Sequence, residues 1–504
     1  MVTCVNIQAQ TTFNARPNNG NWGISNTIFI TDSSYAIAGV GGEFRGQRKL
    51  KVSIFDYTGN LKKEYLHGAN YELIGTGYYA NGSKINDSSY VIAAGAIDKD
   101  GKGVGRMFFL DQSFDSVLFK DFKNYRFQQF SQCRWNEKTK QIIGLGYVNH
   151  PVTIGRFWLS KSDSLGNQIW DTLYGTTTHL DKATTIGLCK DGGYILGGWT
   201  ESYGVPNVNG NANVWIVKTD SNGKVEWERV FGDSLTEAVF SVFEGVDGHF
   251  YFSGGRTDYK EPLSRNNNEY SLNYIIKLDS TGKTIWDNSF GTLGKNNSLL
   301  SLNQTPDGSL IGCGSKPGRY YKDGVAGIYG YVIKVSSDGE LLWERVHHHP
   351  DAFDKDSQAG VRGILYSIRP TADGGYIAAG ETNTNDNYQD FWVIKMDEEG
   401  CIGTPCDLQE AILAQEEIAF QNGIQSFKVF PNPASDLLNL SFSFPVLEEA
   451  FVQLVDQSGK VVLHQFISNT SNVSLDLSAI SSGIYFVSVQ STEYTFPVKK
   501  VVVR

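Results

Sequence analysis

The chain has 504 residues, of which 54 are Gly and 13% are aromatic, and its formal net charge is -10. That length exceeds one ordinary domain, and the acidic balance argues against a nucleic-acid partner. No apolar run is long enough to cross a bilayer as a helix.

The first residues, MVTCVNIQAQ, read as the remnant of a secretory signal (1–10), with Ala9 and Gln10 near a small-residue cleavage site but no basic n-region. From there a repeat takes over, and repeats decide the fold before anything else does. Its first half is an Asp-Gly turn followed by an apolar strand that ends in Gly. It recurs as KDGGYILGG from Lys190, VDGHFYFSGG from Val246, PDGSLIGCG from Pro306 and ADGGYIAAG from Ala372. Weaker copies begin at Asp32, Asp87 and Thr139. The second half is strand, Asp-x-x-Gly turn, strand, as in NYIIKLDSTGKTIWDNSFG from Asn273. Asp bonds its own backbone in such a turn, and Gly accepts positive φ.

Seven copies at a spacing of roughly 50–66 residues, each long enough for four short strands, predict an all-β fold: a seven-bladed β-propeller over residues 11–406. The last copy breaks off before its fourth strand, and Thr11 to Ala15 is the expected substitute. Closing the ring that way leaves no open sheet edge. Six residues before the Asp position stand Asn26, Asn81, Thr185, Ser241, Ser301 and Ser367. They are candidates for the channel lining, with ordinary strand alternation as the alternative.

Residues 407–427 read as a Gln- and Glu-rich linker, with a short helix near Leu408 to Ala419. Beyond it, 428–504 has the strand alternation and hairpin turns of a small immunoglobulin-like β-sandwich. Six Cys are scattered through the chain. Cys401 and Cys406 flank a tight turn and are expected to form a disulfide, as suits an exported protein. Cys133, Cys189 and Cys313 sit in strand-like runs and are expected to be buried.

Two resemblances sharpen this reading. Asp279-Ser-Thr-Gly-Lys283 with Trp286 resembles the tryptophan-docking repeat of quinoprotein dehydrogenases. The resemblance implies that the Trp packs blade against blade. Those enzymes usually have eight blades, a Ca²⁺ site and, often, adjacent cysteines, whereas this chain reads as seven blades and has no adjacent Cys pair. In the C-terminal module, Phe430-Pro-Asn-Pro-Ala434, Gly483-Ile-Tyr-Phe486 and Lys499-Lys-Val-Val-Val-Arg504 resemble the type A C-terminal sorting domain of the type IX secretion system of Bacteroidetes. That resemblance implies export across the outer membrane, recognition by the outer-membrane machinery and a sortase, and a cargo released or held at the cell surface. Pro431, Asn432, Pro433, Gly459, Gly483, Tyr485, Lys499 and Lys500 carry it.

Catalytic signatures are missing. There is no HExxH, GxSxG or P-loop. Asp220, Gly223 and Trp227 are spaced wrongly for an Asp-box. Asp98-Lys-Asp-Gly101 lacks the later ligands of a calcium loop, and His347-His348-His349 reads as a solvated loop. No cofactor and no metal are expected. The variable connections all fall on one face: 203–212, 258–273, 317–330, 347–360 and 382–390. Loops on a rigid scaffold are where binding lives, so Tyr203, Tyr259, Arg265, Tyr320, Tyr321 and Tyr388 are the candidate ligand-binding residues. The function expected is a binding or adhesion protein for a glycan or a protein. The alternative is a secreted hydrolase or lyase acting on polysaccharide from the same face.

Overall fold

A computed structural model describes residues 11–17, 22–42, 48–68, 73–75, 81–98, 100–125, 127–150, 153–204, 212–232, 237–260, 269–291, 296–319, 326–350, 361–383, 389–403, 427–446, 450–457, 460–467, 470–491, 496 and 498–504. The chain divides into two compact units, 1–407 and 408–504.

The hairpin geometry follows from the turn chemistry. Gly282 stands at φ +80°. Its N–H donates to the Asp279 carbonyl at 3.0 Å, while Asp279 Oδ1 accepts the N–H groups of Thr281 and Lys283 at 2.8 and 3.0 Å. One carboxylate thus satisfies backbone donors that a tight turn would otherwise strand.

Strand β1 (Phe13–Ala15) opens the first unit. Then β2 (Trp22–Ile30), β3 (Ser34–Gly42), β4 (Lys49–Asp56) and β5 (Leu61–His67) form one antiparallel four-stranded sheet. The next group is β6 (Leu73–Gly75) and β7 (Gly82–Asn86), both paired to β8 (Ser89–Ile97), followed by β9 (Gly103–Asp111) and β10 (Val117–Phe122). It is joined through a parallel β9–β11 contact to β11 (Phe127–Asn136), β12 (Gln141–His150), β13 (Thr153–Ser162) and β14 (Gln168–Tyr174). Two separate four-stranded sheets come next: β15 (Asp181–Leu188) to β18 (Val225–Phe231) through β16 (Tyr194–Thr200) and β17 (Asn213–Thr219), and β19 (Glu237–Glu244) to β22 (Thr284–Phe290) through β20 (Phe250–Lys260) and β21 (Glu269–Leu278). A last composite sheet holds β23 (Ser298–Gln304), β24 (Leu310–Arg319), β25 (Ala326–Val335) and β26 (Leu341–His347) beside β27 (Val361–Pro370), β28 (Tyr376–Asn383) and β29 (Gln389–Met396). β1 supplies the fourth strand there: Phe13, Asn14 and Ala15 pair with Lys395, Ile394 and Val393 of β29. The first strands of the groups touch in cyclic order, β2, β7, β11, β15, β19, β23, β27 and back to β2. The unit is a β-propeller.

Two devices hold neighbouring sheets together. On the outside, an aromatic ring of one sheet covers the turn glycine of the next. A Cβ built at Gly223, Gly282, Gly339 or Gly400 would come within 3.0, 2.8, 3.1 or 2.6 Å of Trp170, Trp227, Trp286 or Trp343 in turn. Trp227 and Trp286 also donate Nε1–H to the carbonyls of Ser280 and Ser337. At the seam between the last sheet and the first, Phe13 covers Gly59 in the same way.

On the inside, the first strand of most sheets carries a bulge, at Ser25/Thr27, Phe130/Gln132, Ala183/Thr185, Val239/Ser241, Leu299/Ser301 and Leu365/Ser367. The bulge presses a carbonyl against the second strand, which explains the terminal Gly of the repeat. A Cβ at Gly146, Gly198, Gly254, Gly314 or Gly380 would overlap the carbonyl oxygen of Gln129, Lys182, Ala238, Ser298 or Ile364. Of the small polar residues expected along the channel, Asn26, Thr185, Ser241, Ser301 and Ser367 sit at these bulges, and all but the half-buried Ser241 are buried, as is Asn81. Several bond across sheets: Thr27 Oγ1 donates to Asn81 Oδ1 at 2.6 Å, Thr185 Oγ1 accepts Val242 N–H at 3.1 Å, and Ser241 Oγ donates to the Leu302 carbonyl at 3.2 Å.

The hairpins on the variable face extend further than their sequence suggests. β20 and β21 pair out to Lys260 and Glu269, and β24 and β25 to Arg319 and Ala326. Backbone pairing continues past the end of the apolar alternation, so the sequence pattern stops short of the strand. The His347 reading also needs correction: His347 is the last residue of β26, paired with Gly330, and His349 is buried. The closing segment covers this stretch, with Asn14 Nδ2 donating to the His348 carbonyl at 2.8 Å.

The second unit has β30 (Phe427–Phe430), β31 (Leu437–Val446) and β34 (Thr470–Asp476) in one sheet, and β32 (Ala450–Asp456), β33 (Val461–Ile467), β35 (Gly483–Ser491) and β36 (Lys499–Val503) in the other. Both sheets contribute to one core, including Leu438, Leu440, Val452, Leu454, Val487 and Val501.

Candidate binding surface

Short turns lie at one end of every propeller sheet and the longer connections at the other. The residue after the repeat's terminal Gly therefore reaches the long-connection face beside the first strands. In three copies it is large: Tyr147 after Gly146, Trp199 after Gly198 and Glu381 after Gly380. Lys182 pairs with Trp199 across β15–β16, and its Nζ lies 5.0 Å from the Tyr147 ring centroid. Phe127, at the start of β11, has its ring 6.4 Å from that of Tyr147. All four side chains are partly exposed. Burial holds the Lys182 ammonium below its ordinary pKa and the Tyr147 phenol above it. The result is a half-wet platform of ring faces with an ammonium laid on it, suited to stacking against a sugar ring or an aromatic side chain while offering a charge-assisted donor.

Of the six loop residues singled out from sequence, Tyr203 is the one with a described side chain. It is 36% exposed, and its ring packs on Trp215 at 4.9 Å between centroids. The adjoining turn is pinned by Asp181, which is fully buried and accepts hydrogen bonds from Thr200 and Ser202 at 2.5 and 2.7 Å. Tyr203 is on the same face as the platform, held in one orientation. Tyr259 lies on β20, with its side chain outside the described residues; Arg265, Tyr320, Tyr321 and Tyr388 lie outside them altogether. The platform residues escaped the sequence reading because they sit inside strands rather than in loops. Lining up the copies on their terminal Gly would have exposed them.

Acids at this face are engaged. Glu381 is fully buried, 3.3 Å from the Arg362 guanidinium, and burial raises its carboxyl above the usual range. Asp390, pushed up to about 6 chiefly by burial, lies 3.6 Å from Lys51. Glu381 pairs with Phe391 across the hairpin, so Asp390, the next residue, points to the opposite side of the sheet. Among the described residues no three His, Cys, Asp or Glu side chains converge as metal ligands.

Cys133, Cys189 and Cys313 are buried free thiols, and Cys401 is disulfide-bonded. Its expected partner Cys406 lies outside the described residues.

In the second unit the two ends of the module meet. Asn432 Nδ2 donates to the Lys500 carbonyl at 3.0 Å, and Asn432 Oδ1 accepts Val502 N–H at 2.9 Å. Ala434 N–H donates to the Val502 carbonyl. Pro431 and Pro433 are exposed beside this clip, Gly483 pairs with Val503, and the Tyr485 hydroxyl donates to the Ser481 carbonyl at 2.8 Å. Lys499 and Lys500 pair with Val487 and Phe486 at the outer strand. Gly459 lies outside the described residues.

Residues 428–504 match the secretion system C-terminal sorting domain. No curated protein matches the chain. Similar solved structures include the β-propeller domain of the trilobed protease from Pyrococcus furiosus, at 10% identity and TM-score 0.38 over 74% of this chain and 95% of that one. An α-L-arabinanase from Penicillium chrysogenum has 8% identity and TM-score 0.40 over 77% and 97%. The α-L-arabinofuranosidase Arb93A from Fusarium graminearum has 8% identity and TM-score 0.40 over 80% and 99%. The sorting domain directs this β-propeller protein through the type IX secretion system, to the cell surface or the medium. No helix is long and apolar enough to cross a membrane among the described residues.

Proposed function

We propose that this chain is an exported binding protein in which a seven-bladed propeller (11–406) presents a ligand face, a linker (407–427) follows, and an immunoglobulin-like sorting module (428–504) is read by the secretion machinery and a sortase. The cyclic contact of first strands and their grouping into four-stranded sheets support the ring. One observation carries the binding reading: Phe127, Tyr147, Lys182 and Trp199 form a partly exposed aromatic and cationic platform on the face of the longer connections. A glycan, or an aromatic-bearing segment of a protein, suits that chemistry.

Hydrolysis of a polysaccharide would call for two carboxylates facing one glycosidic bond. Glu381 and Asp390 point to opposite sides of their sheet, and each is tied to a cation, which favours binding over turnover. The test is to incubate the full chain with the glycans it retains on an array and to measure new reducing ends. Retention without cleavage supports the reading, and cleavage replaces it with hydrolysis.

A further inference from the structure

Three successive sheets fill the same place on the long-connection face in two different ways. Tyr147 on β12 pairs with Phe157, and Trp199 on β16 pairs with Val214. In both, a ring stands beside an apolar residue. The next sheet keeps the repeat's terminal glycine as Gly254 but continues with Gly255, which pairs with Asn273 of β21. A gap takes the place of the ring, and a carboxamide takes the place of the apolar residue.

Directly opposed residues of an antiparallel pair share a face of the sheet. Gly255 opposes Asn273, and Ser253 opposes Ile275, so all four point to one side. That side faces the following sheet, because Ile275 packs with its Leu299 and Ile333. Asn273 and Ser253 are fully buried. Neither polar atom of the Asn273 carboxamide has a hydrogen-bond partner, and the Ser253 hydroxyl has none. Gly255 is partly exposed, and a Cβ built on it meets nothing nearer than the Asn297 carbonyl oxygen at 3.8 Å. The slot therefore opens at Gly255 and is polar within. Its rim is fixed: Ser271 Oγ donates to the Asn297 carbonyl at 2.8 Å, and Asn297 Nδ2 donates to the Ser271 carbonyl at 2.9 Å. None of these residues is charged. Arg256, next to Gly255, lies over the Tyr274 ring on the other side of the sheet.

A buried carboxamide whose donor and acceptor are both unmet lowers stability, and Val214 shows that an apolar side chain fits the same place one sheet earlier. An uncharged ligand with adjacent donor and acceptor groups satisfies both atoms, accepting from Nδ2–H and donating to Oδ1. Sugars carry such pairs as neighbouring hydroxyls or as an acetamido group. We infer that Asn273, Ser253 and the gap at Gly255 form a subsite for an uncharged sugar residue. The subsite deepens the glycan reading of this face and rests on it.

The test titrates the full chain by calorimetry with the methyl glycosides of glucose, galactose, mannose and N-acetylglucosamine. At least one is expected to bind saturably, and preference for the last tells an acetamido group from a hydroxyl pair. Affinity should fall at least tenfold in Asn273→Val and in Gly255→Val, which fills the gap. Without sugar, Asn273→Val should raise the melting temperature by about 1–2 °C, a gain that removing a merely structural residue would not give. If either variant does not fold, crystals of the unaltered chain soaked in the bound sugar stand as the readout, with a sugar hydroxyl or acetamido group expected on Asn273. No saturable binding, undiminished affinity in a folded variant, or a water on Asn273 that the sugar leaves in place overturns the inference. Affinity lost in Trp199→Ala but kept in Asn273→Val overturns the subsite and leaves the platform standing. The reverse pattern upholds the subsite without the platform.

Discussion

Phe13, from the strand that completes the last propeller sheet, lies against Gly59 in a turn of the first: a Cβ on Gly59 would come within 2.5 Å of the Phe13 ring. The position is the one that Trp170, Trp227, Trp286 and Trp343 hold elsewhere in the ring, so the closing contact repeats the packing of the other seams with a different ring. Gly59 also has φ +87°, which a residue with a Cβ adopts only at a cost. Phe13→Ala should destabilise the propeller by about 3 kcal/mol, and Gly59→Ala by a further cost that is not additive with it. Urea denaturation of the two single variants and the double variant measures this. Full additivity would mean that the two residues do not share a contact.

The Trp seams make a parallel prediction. Trp227→Ala removes a ring that covers Gly282 and donates to the Ser280 carbonyl. It should cost about 2–3 kcal/mol. Because the contact joins two sheets, amide exchange should quicken in both β18 and the 279–283 turn. Acceleration confined to β18 would contradict the docking role.

Neighbouring glycines separate two kinds of position. Gly254 faces the Ala238 carbonyl at the bulge, whereas Gly255 has nothing nearer than 3.8 Å to where its Cβ would be. Gly254→Ala should lower the melting temperature sharply or prevent folding, and Gly255→Ala should leave it within a degree or two of wild type. Equal effects would show that the bulge does not explain the repeated glycine.

His347 supplies a pH dependence. Burial first of all lowers its imidazole from 6.5 to about 4. The unfolded chain therefore takes up a proton that the folded chain refuses, and stability falls as pH drops from about 6.5 to about 4. Asp390, raised to about 6 from 3.8, acts in the opposite sense over part of that window, since its folded form holds the proton more tightly. The difference between wild type and His347→Gln isolates the ring: unfolding free energies at pH 7 and pH 4.5 should differ less in the variant. Parallel pH profiles would contradict the assignment.

Much of this architecture was legible as chemistry. Asp279 with Gly282 announced a hairpin turn, and Trp286 announced a seam, because turn geometry and ring burial are local demands. The hand-over from Thr11–Ala15 to the last sheet could be read from the missing fourth strand after Met396. The platform was less legible. Tyr147, Lys182 and Trp199 are far apart in sequence and are assembled only when β12, β15 and β16 meet, and no short-range pattern encodes that meeting. His347 failed for the opposite reason: three histidines look like a polar loop, yet His347 ends a strand, the His348 carbonyl is bonded by the closing segment and His349 is buried.

The secretory role has its own check. Deleting 428–504 should leave the protein in the periplasm, and Asn432→Ala, which cuts the clip to Lys500 and Val502, should slow export in the same direction. Normal export of the truncated chain would refute a sorting role.

The binding face is tested most directly by comparing full-length wild type, Tyr147→Ala, Trp199→Ala and Val246→Ala on one array of immobilised glycans and surface proteins. Val246 is 76% exposed in a turn on the opposite face. A ligand held equally by wild type and Val246→Ala, and weakened at least tenfold by Tyr147→Ala and by Trp199→Ala, is the result expected. A ligand retained unchanged by both platform variants, or lost only in Val246→Ala, would contradict the account.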